Sequence, residues 1–407
     1  MDENHGLDTQ LLVRLLKKRF HDEKPQEITS IEVKNAVPKG DNYASLVYRI
    51  KMKCLTAAGK KRSFSVIVKM ELTADSTKEL FKSFPVFRVE TRVYTSIIPM
   101  MEELMEEFGD KREKLWPNIL GYQPYHMIAF NDLSEEGYIG VERRNSLDFN
   151  HLKLVLRSIA RFHAMSKVLL ERGLISPDDK GKLAIASDEP VVDKWWLILL
   201  TVLPDAMVDH WGSEWKELAV KLKNQQALVT SKLSEISRDF DKRFEVYNHG
   251  DLWMCNMLFQ YMEFENNFPI SVKFVDYQMG HLNSFVWDIV YFLHTSAVPS
   301  VRRERLEELL DAYQESLERN LNVFNYAGYI PTSEDVRSEW ERTRYVHLCF
   351  LMFQPLMTAD TKGSAFDMEK ITTHLPHEVV EGSVYTDGKA MKSIGEDLRN
   401  FELLGLI

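Results

Sequence analysis

The spacing of apolar residues changes its period once along the chain, near residue 132, and that change restricts the fold more than any other feature of the sequence. Ahead of it, Ile28 to Ala36, Ser45 to Cys54, Ser63 to Met70, Ile119 to Tyr122 and Tyr125 to Phe130 have the apolar–polar alternation of half-buried strands. One long helical stretch interrupts them, its apolar face marked by Phe87, Tyr94, Ile97, Ile98, Met101 and Phe108. Beyond residue 132 the helical period takes over. His151 to Leu170 places Leu152, Val155, Leu156, Ile159, Phe162 and His163 on one stripe, and similar patterns occupy 214–236, 302–321 and 334–357. Residues 173–193, rich in Asp, Lys, Pro, Gly and Ser, read as a loop or irregular insertion, as does the stretch from Thr358 to about Asp387. The expected fold is α+β: a small antiparallel sheet with one long helix over residues 1–132, and a larger, mostly helical body over 133–407.

Chemistry enters with His249-Gly250-Asp251-Leu252-Trp253-Met254-Cys255-Asn256 and, farther on, Val275-Asp276-Tyr277-Gln278. Phosphoryl transfer requires a hydroxyl to be positioned, magnesium to be held against phosphates and developing charge to be neutralised. In kinases an Asp, an Asn five residues later and a second Asp share that work, and Asp251, Asn256 and Asp276 stand in that order. Met257 to Tyr261 and Ile270 to Val275 alternate around Glu265-Asn266-Asn267, so a hairpin would bring Asn256 and Asp276 side by side.

Two more residues make sense as a pair. Lys69 lies in a strand-like run, pointing to the same side as Ile67 and Ser65. Glu90 falls on the apolar face of the following helix. A carboxylate turned toward a core costs several kcal/mol unless a cation meets it, and Lys69 is the natural partner. Between the first two strands, Pro38 to Ser45 offers a tight turn whose N–H groups and Ser45 hydroxyl would face phosphate. Other conspicuous residues have plainer readings: Cys255 as a small filler of the loop, and His163 as a satisfied core histidine.

A formal charge of −10 argues against a nucleic-acid partner. The three cysteines, Cys54, Cys255 and Cys349, have no CxxC spacing and suit a reducing compartment. Asp2, Glu3, His5 and Asp8 stand where a secretory signal would be basic and then apolar. The apolar run Trp195 to Leu203, stopped by Pro204, is too short to span a bilayer. The expectation is a cytoplasmic protein with no membrane span and no obligate protein partner. Trp195, Trp196, Trp211 and Trp215 line a substrate pocket or belong to the core.

Taken together, Gly40 to Ser45, Val68-Lys69-Met70-Glu71, Arg88-Val89-Glu90, Ala160 to Ala164, His249 to Asn256 and Asp276-Tyr277-Gln278 resemble the ecdysteroid-kinase-like family, relatives of choline and aminoglycoside kinases. The likeness covers roughly residues 25 to 355. It implies a two-lobed, protein-kinase-like fold and an enzyme dependent on ATP and Mg2+, in which Asp251 orients or deprotonates the acceptor hydroxyl. By the same resemblance Asn256 and Asp276 hold magnesium, Lys69 with Glu90 places the phosphates, and Asn42 and Ser45 belong to the phosphate-facing turn. Phe130-Asn131-Asp132-Leu133 matches the segment whose backbone contacts adenine, although Asn131 departs from the acidic residue common there. His249 supports the loop. Asp288 resembles a buried Asp that braces it, and an exposed helix cap is the alternative.

The implied acceptor is a small-molecule alcohol: an ecdysteroid-like steroid or apolar xenobiotic. The segment 191–215, with Trp195, Trp196 and Trp211 among many aliphatics and few acids, suits a flat apolar body. The alternatives are a choline- or aminoglycoside-type kinase and an inactive kinase-fold binding protein. A protein kinase fits poorly, because Tyr277 to Trp287 leaves no room for an activation loop and no APE-like sequence follows.

Overall fold

Strand alternation sorts the residues ahead of position 132 into two faces of one sheet. In the computed structural model, which describes residues 25–36, 45–56, 59–71, 85–176, 181–187, 189–263, 268–359 and 365–407, five antiparallel strands lie in the order β1-β2-β3-β5-β4. These are β1 (Pro25–Asn35), β2 (Ser45–Thr56), β3 (Lys61–Glu71), β4 (Ile119–Gln123) and β5 (Met127–Asn131). Ile50, Met52, Phe64, Val66, Val68 and Ala129 form a small core on one face. Ile67 and Lys69 of β3, with Ile128 and Phe130 of β5, take the other parity. Register sets Lys69 opposite Val47 and Ile128, and a one-residue slip would drive its ammonium into the apolar face.

The expected helix packs on that second face. It runs through Val86–Arg92 and Ile98–Glu107, with a π turn at Val93–Ile97 between them. Phe87, Glu90, Tyr94, Ile97, Ile98 and Met101 are buried, together with Val86, Thr91, Val93, Leu104 and Met105, so the apolar stripe read from the sequence packs inward, with Phe108 at its end half-buried. Each large apolar side chain removed from water contributes about 1.5–3 kcal/mol.

Beyond residue 132 helices dominate. Phe149–Glu171 is capped by Asp148, whose side chain accepts from the N–H groups of Asn150 and His151. It is buried nearly all round, lying between Leu306–Val323 on one side and the strands Glu245–Asn248 and Pro269–Phe274 on another. The patterns at 214–236, 302–321 and 334–357 are each broken into shorter helices: Lys216–Lys223 and Val229–Arg238, Pro299–Glu304 and Leu306–Val323, Ser333–Arg342 and Arg344–Met357.

Two stretches read as irregular contain helix. Pro190–Ala206 begins inside one of them, with Pro190 at its first turn, and does not stop at Pro204. A proline removes one N–H and crowds the preceding turn, and here the chain passes into a π turn, Met207–Trp211. Near the C-terminus Pro376–Val379 and Ser383–Thr386 are single short helices, followed by Lys389–Leu403.

Two small sheets complete the arrangement. β7 (Met257–Tyr261) and β8 (Pro269–Phe274) form the expected hairpin. Its turn at Glu265-Asn266-Asn267 lies outside the described residues, as do Asn42 and the rest of the Pro38–Ala44 segment. β6 (Glu245–Asn248) pairs with β9 (His281–Ser284), which no sequence pattern announced. The larger core runs across position 132, joining Tyr94, Ile128 and Phe130 to Phe162, Tyr277 and Phe292. No helix among the described residues is long and apolar enough to cross a membrane.

Candidate active site

The loop after β6 is held by one carboxylate. Asp288, in the first turn of the helix Val286–Ser296, accepts through Oδ2 from the N–H of His249 (2.7 Å) and through Oδ1 from that of Gly250 (2.9 Å). His163 Nε2 lies 3.0 Å from the same Oδ2, and Tyr313 Oη is 2.8 Å from His163 Nδ1. Burial alone would raise the Asp288 carboxyl, but His163, His249 and the Gly250 amide bring it below its ordinary value. Of the two sequence readings, brace or exposed cap, Asp288 is a buried brace, and His163 is the satisfied core histidine that completes it.

Gly250 makes the turn possible. Its φ of +80° is open to glycine, and a Cβ there would stand 2.0 Å from the carbonyl oxygen of Met279. His249 is fully buried, which lowers its pKa and keeps it neutral. Its Nε2–H donates to Val275 O (3.0 Å), leaving Nδ1 to face the Asp251 N–H at 3.3 Å. The ring thus ties the Asp251 loop to the strand leading into Asp276.

Asp251 emerges with both oxygens engaged. Oδ1 accepts from Tyr291 Oη (2.8 Å), and Oδ2 from Asn256 Nδ2 (3.0 Å) with Gln278 Nε2 at 3.5 Å. Burial lifts its carboxyl to about 6 and the charge of Asp276 adds to the rise, while the three hydrogen bonds oppose it. Asn256 is brought beside Asp276 by the hairpin and by a backbone bond from Val275 N to Asn256 O (3.0 Å). Its amide nitrogen is turned to Asp251, so Oδ1 is the atom free to meet a cation.

Asp276 sits at φ +66°, a left-handed conformation unusual for Asp and of the kind that concentrates at functional sites. Its Oδ1 lies 2.6 Å from Lys69 Nζ, and Lys69 Nζ lies 2.7 Å from Glu90 Oε2. Burial alone would pull the Lys69 ammonium down, but Asp276 and Glu90 outweigh it and hold it above its ordinary value. Burial pushes Glu90 up to about 7 against the pull of Lys69. One cation between two carboxylates leaves a negative excess.

Hard oxygen donors with that excess fit a magnesium ion. Among the described residues no three His, Cys, Asp or Glu side chains form a self-contained cage, and magnesium is ordinarily held by one or two carboxylates together with phosphate oxygens. Asp276 and Asn256 would hold it, with Lys69 beside them.

Two cavities flank the loop. One, between the sheet and the hairpin, is lined by Lys69, Glu90, Tyr94, Asn256 and Asp276, with Val47, Ile67 and Phe130 among its apolar walls. Phe130, Asn131 and Asp132 border it, but the side chains of Asn131 and Asp132 are already committed. Asn131 Oδ1 accepts from Asn118 N (2.6 Å) and its Nδ2 donates to Glu136. Asp132 accepts from Arg49 Nε (2.7 Å), Ser65 Oγ (2.5 Å) and Ser134 Oγ (2.7 Å). Ser45 opens β2 opposite Glu71, outside the cavity walls.

The second cavity is apolar and reaches Gly250 and Asp251, with Trp195, Trp287, Tyr291, Phe350, Phe353 and Phe366 among its walls. Of the three tryptophans expected at a substrate pocket, only Trp195 lies there. Trp196 is fully buried, packed edge-on against Phe353 (5.8 Å). Trp211 is buried against Trp215, its Nε1 donating to Tyr385 O (2.8 Å). Trp196 is core while Trp195 is not because adjacent residues on a helix point to different faces.

Sequence reasoning missed Tyr291, Gln278 and Arg49. Tyr291 had a findable signal, since it stands one helical turn after Asp288 and shares its face.

The model of the ecdysteroid kinase-like family matches residues 39–326. A comparison with curated proteins found no match. With the matched segment spanning more than two thirds of the 407 residues and containing Lys69, Glu90, Asp251, Asn256, Asp276 and Asp288, the chain belongs to the ecdysteroid kinase-like family.

Proposed function

We propose that this protein is a magnesium- and ATP-dependent kinase that phosphorylates a hydroxyl of a small apolar molecule, an ecdysteroid-like steroid or an apolar xenobiotic alcohol. One observation carries the reading. Asp251 lines an apolar cavity, while Asn256, hydrogen-bonded to it at 3.0 Å, lines a second cavity with Lys69 and Asp276. A proton acceptor for one substrate and charged groups for another thus adjoin one short loop.

The acceptor hydroxyl gives its proton to Asp251 as its oxygen bonds to the γ-phosphorus of ATP, and the bond from that phosphorus to the β–γ bridging oxygen breaks. Magnesium, when bound with the nucleotide, neutralises phosphate charge. Lys69, fixed by Glu90, faces the phosphates, and Tyr291 and Asn256 aim the carboxylate of Asp251.

A cationic acceptor such as choline would meet aromatic walls but few carboxylates here. The carboxylates of the apolar cavity are Asp251 and Asp288, and Asp288 is committed to the loop amides and His163. Three cysteines without CxxC spacing, Cys54, Cys255 and Cys349, suit a cytoplasmic setting.

The reading is tested by incubating the protein with γ-labelled ATP and a panel of steroid, phenolic, choline and aminoglycoside alcohols. A labelled phosphomonoester of an apolar alcohol is expected from wild type and none from Asp251→Asn. Transfer to choline or an aminoglycoside alone would refute the apolar acceptor, and transfer to nothing in the panel would refute the kinase reading.

A further inference from the structure

Buried polar atoms are almost always paired, and the wall of the apolar cavity holds one that is not. His281, the first residue of β9, is 2% exposed and belongs to that wall. Its ring lies against the catalytic loop, for a Cβ added at Gly250 would sit 3.0 Å from His281 Nδ1. The tautomer follows from its partner. Nδ1 is 3.0 Å from the carbonyl oxygen of Met279, which can only accept, so Nδ1 carries the proton and Nε2 presents a lone pair. Burial lowers the pKa of the imidazole and keeps it neutral.

Among the described residues Nε2 has no hydrogen-bond partner. Trp195, on another wall of the same cavity, has an indole N–H that is likewise buried and unpartnered. The walls of this cavity are mostly aromatic and aliphatic, with Arg143, Gln278, Asp288 and Tyr291 as polar neighbours of Asp251, and among the described residues they hold one unpaired acceptor and one unpaired donor. Such groups select strongly, because a ligand lacking the matching function leaves them desolvated and unpaired.

We propose that His281 Nε2 receives a hydrogen bond from a second hydroxyl of the acceptor, so that the preferred acceptor is a neutral apolar diol, with one hydroxyl at Asp251 and the other at His281. Trp195 donates to an oxygen of the same molecule. This rests on the apolar cavity being the acceptor site of the proposed kinase.

Matched probes test it: androstanediol against androstanol, and decanediol against decanol, each titrated by quenching of intrinsic tryptophan fluorescence with a non-hydrolysable ATP analogue present. Wild type should bind at least one diol about tenfold or more tighter than its mono-alcohol. His281→Asn keeps a donor for Met279 O but has no acceptor at the position of Nε2, and should shrink that preference to about threefold or less. His281→Gln, which restores an acceptor oxygen at the farther position, should recover most of it. No preference in wild type, an unchanged preference in His281→Asn, or failure of both pairs to bind overturns the proposal.

Phosphate transfer is measured separately on the same probes. Equal transfer to diol and mono-alcohol would sink the role of His281 and leave the kinase reading standing. Selective binding of a diol without transfer would do the reverse.

Discussion

A carboxylate that must accept a proton works only when ionised, and burial has moved Asp251 close to neutrality. With its carboxyl at about 6, turnover should climb as pH rises through that value and fall below it, since the protonated form already carries a proton and is too weak a base to take the acceptor's. Tyr291 donates to the ionised form, so Tyr291→Phe should move this acidic limb to higher pH with little change in nucleotide affinity. A limb that stays put would separate Tyr291 from the proton chemistry. On the proposed function, Asp276→Asn replaces a charged ligand of a hard cation by a neutral one, and magnesium-dependent ATP affinity should fall by about tenfold or more. Calorimetry at limiting magnesium reads this directly. Asp251 and Asn256 were legible by spacing and Glu90 by its position on an apolar face, because those signals are local, whereas Tyr291 was missed. The partners of Asp132 were missed too, because Arg49 and Ser65 reach it across 83 and 67 residues of sequence.

Elements were legible where a period repeats long enough to register. The β7–β8 hairpin alternates over two runs and was found. Strands β6 and β9 are four residues each, pair across the whole catalytic segment and were missed. The helix Pro190–Ala206 is apolar on nearly every side, so its sequence has no stripe to betray which tryptophan faces which neighbour. The structure separates the two adjacent ones. Trp196→Ala removes a fully buried ring, which typically costs about 3–5 kcal/mol, so it should lower the melting temperature by several degrees or more while leaving the Michaelis constant for ATP unchanged in the molecules that remain folded. Trp195→Ala, at the cavity wall, should instead raise the Michaelis constant for the acceptor. Equal thermal losses with no difference in acceptor handling would contradict this division of labour.

At the scale of the whole molecule, the change of period near residue 132 was read as a boundary, yet the larger core runs through it, joining Phe130 and Tyr94 to Tyr277. Sequence periodicity reports which elements form. It does not report which of their faces meet, because that is settled by packing between distant segments. The apolar cavity illustrates the point: Phe350, Phe353, Phe366 and Met368 wall it from beyond residue 326, where the match to the family ends. The loop from Gly250 to Asn256 stands between that cavity and the one holding Lys69, and this partition has a kinetic consequence. Two ligands that never compete for the same space can each arrive first, so initial-velocity plots for ATP and acceptor should intersect and never run parallel, the signature of a ternary complex in place of a phosphorylated-enzyme shuttle. The same partition invites a tethered inhibitor. An apolar alcohol joined through a short phosphate chain to adenosine would fill both chambers past one loop, and its avidity would exceed that of either half alone because the second half binds at the effective concentration set by the tether.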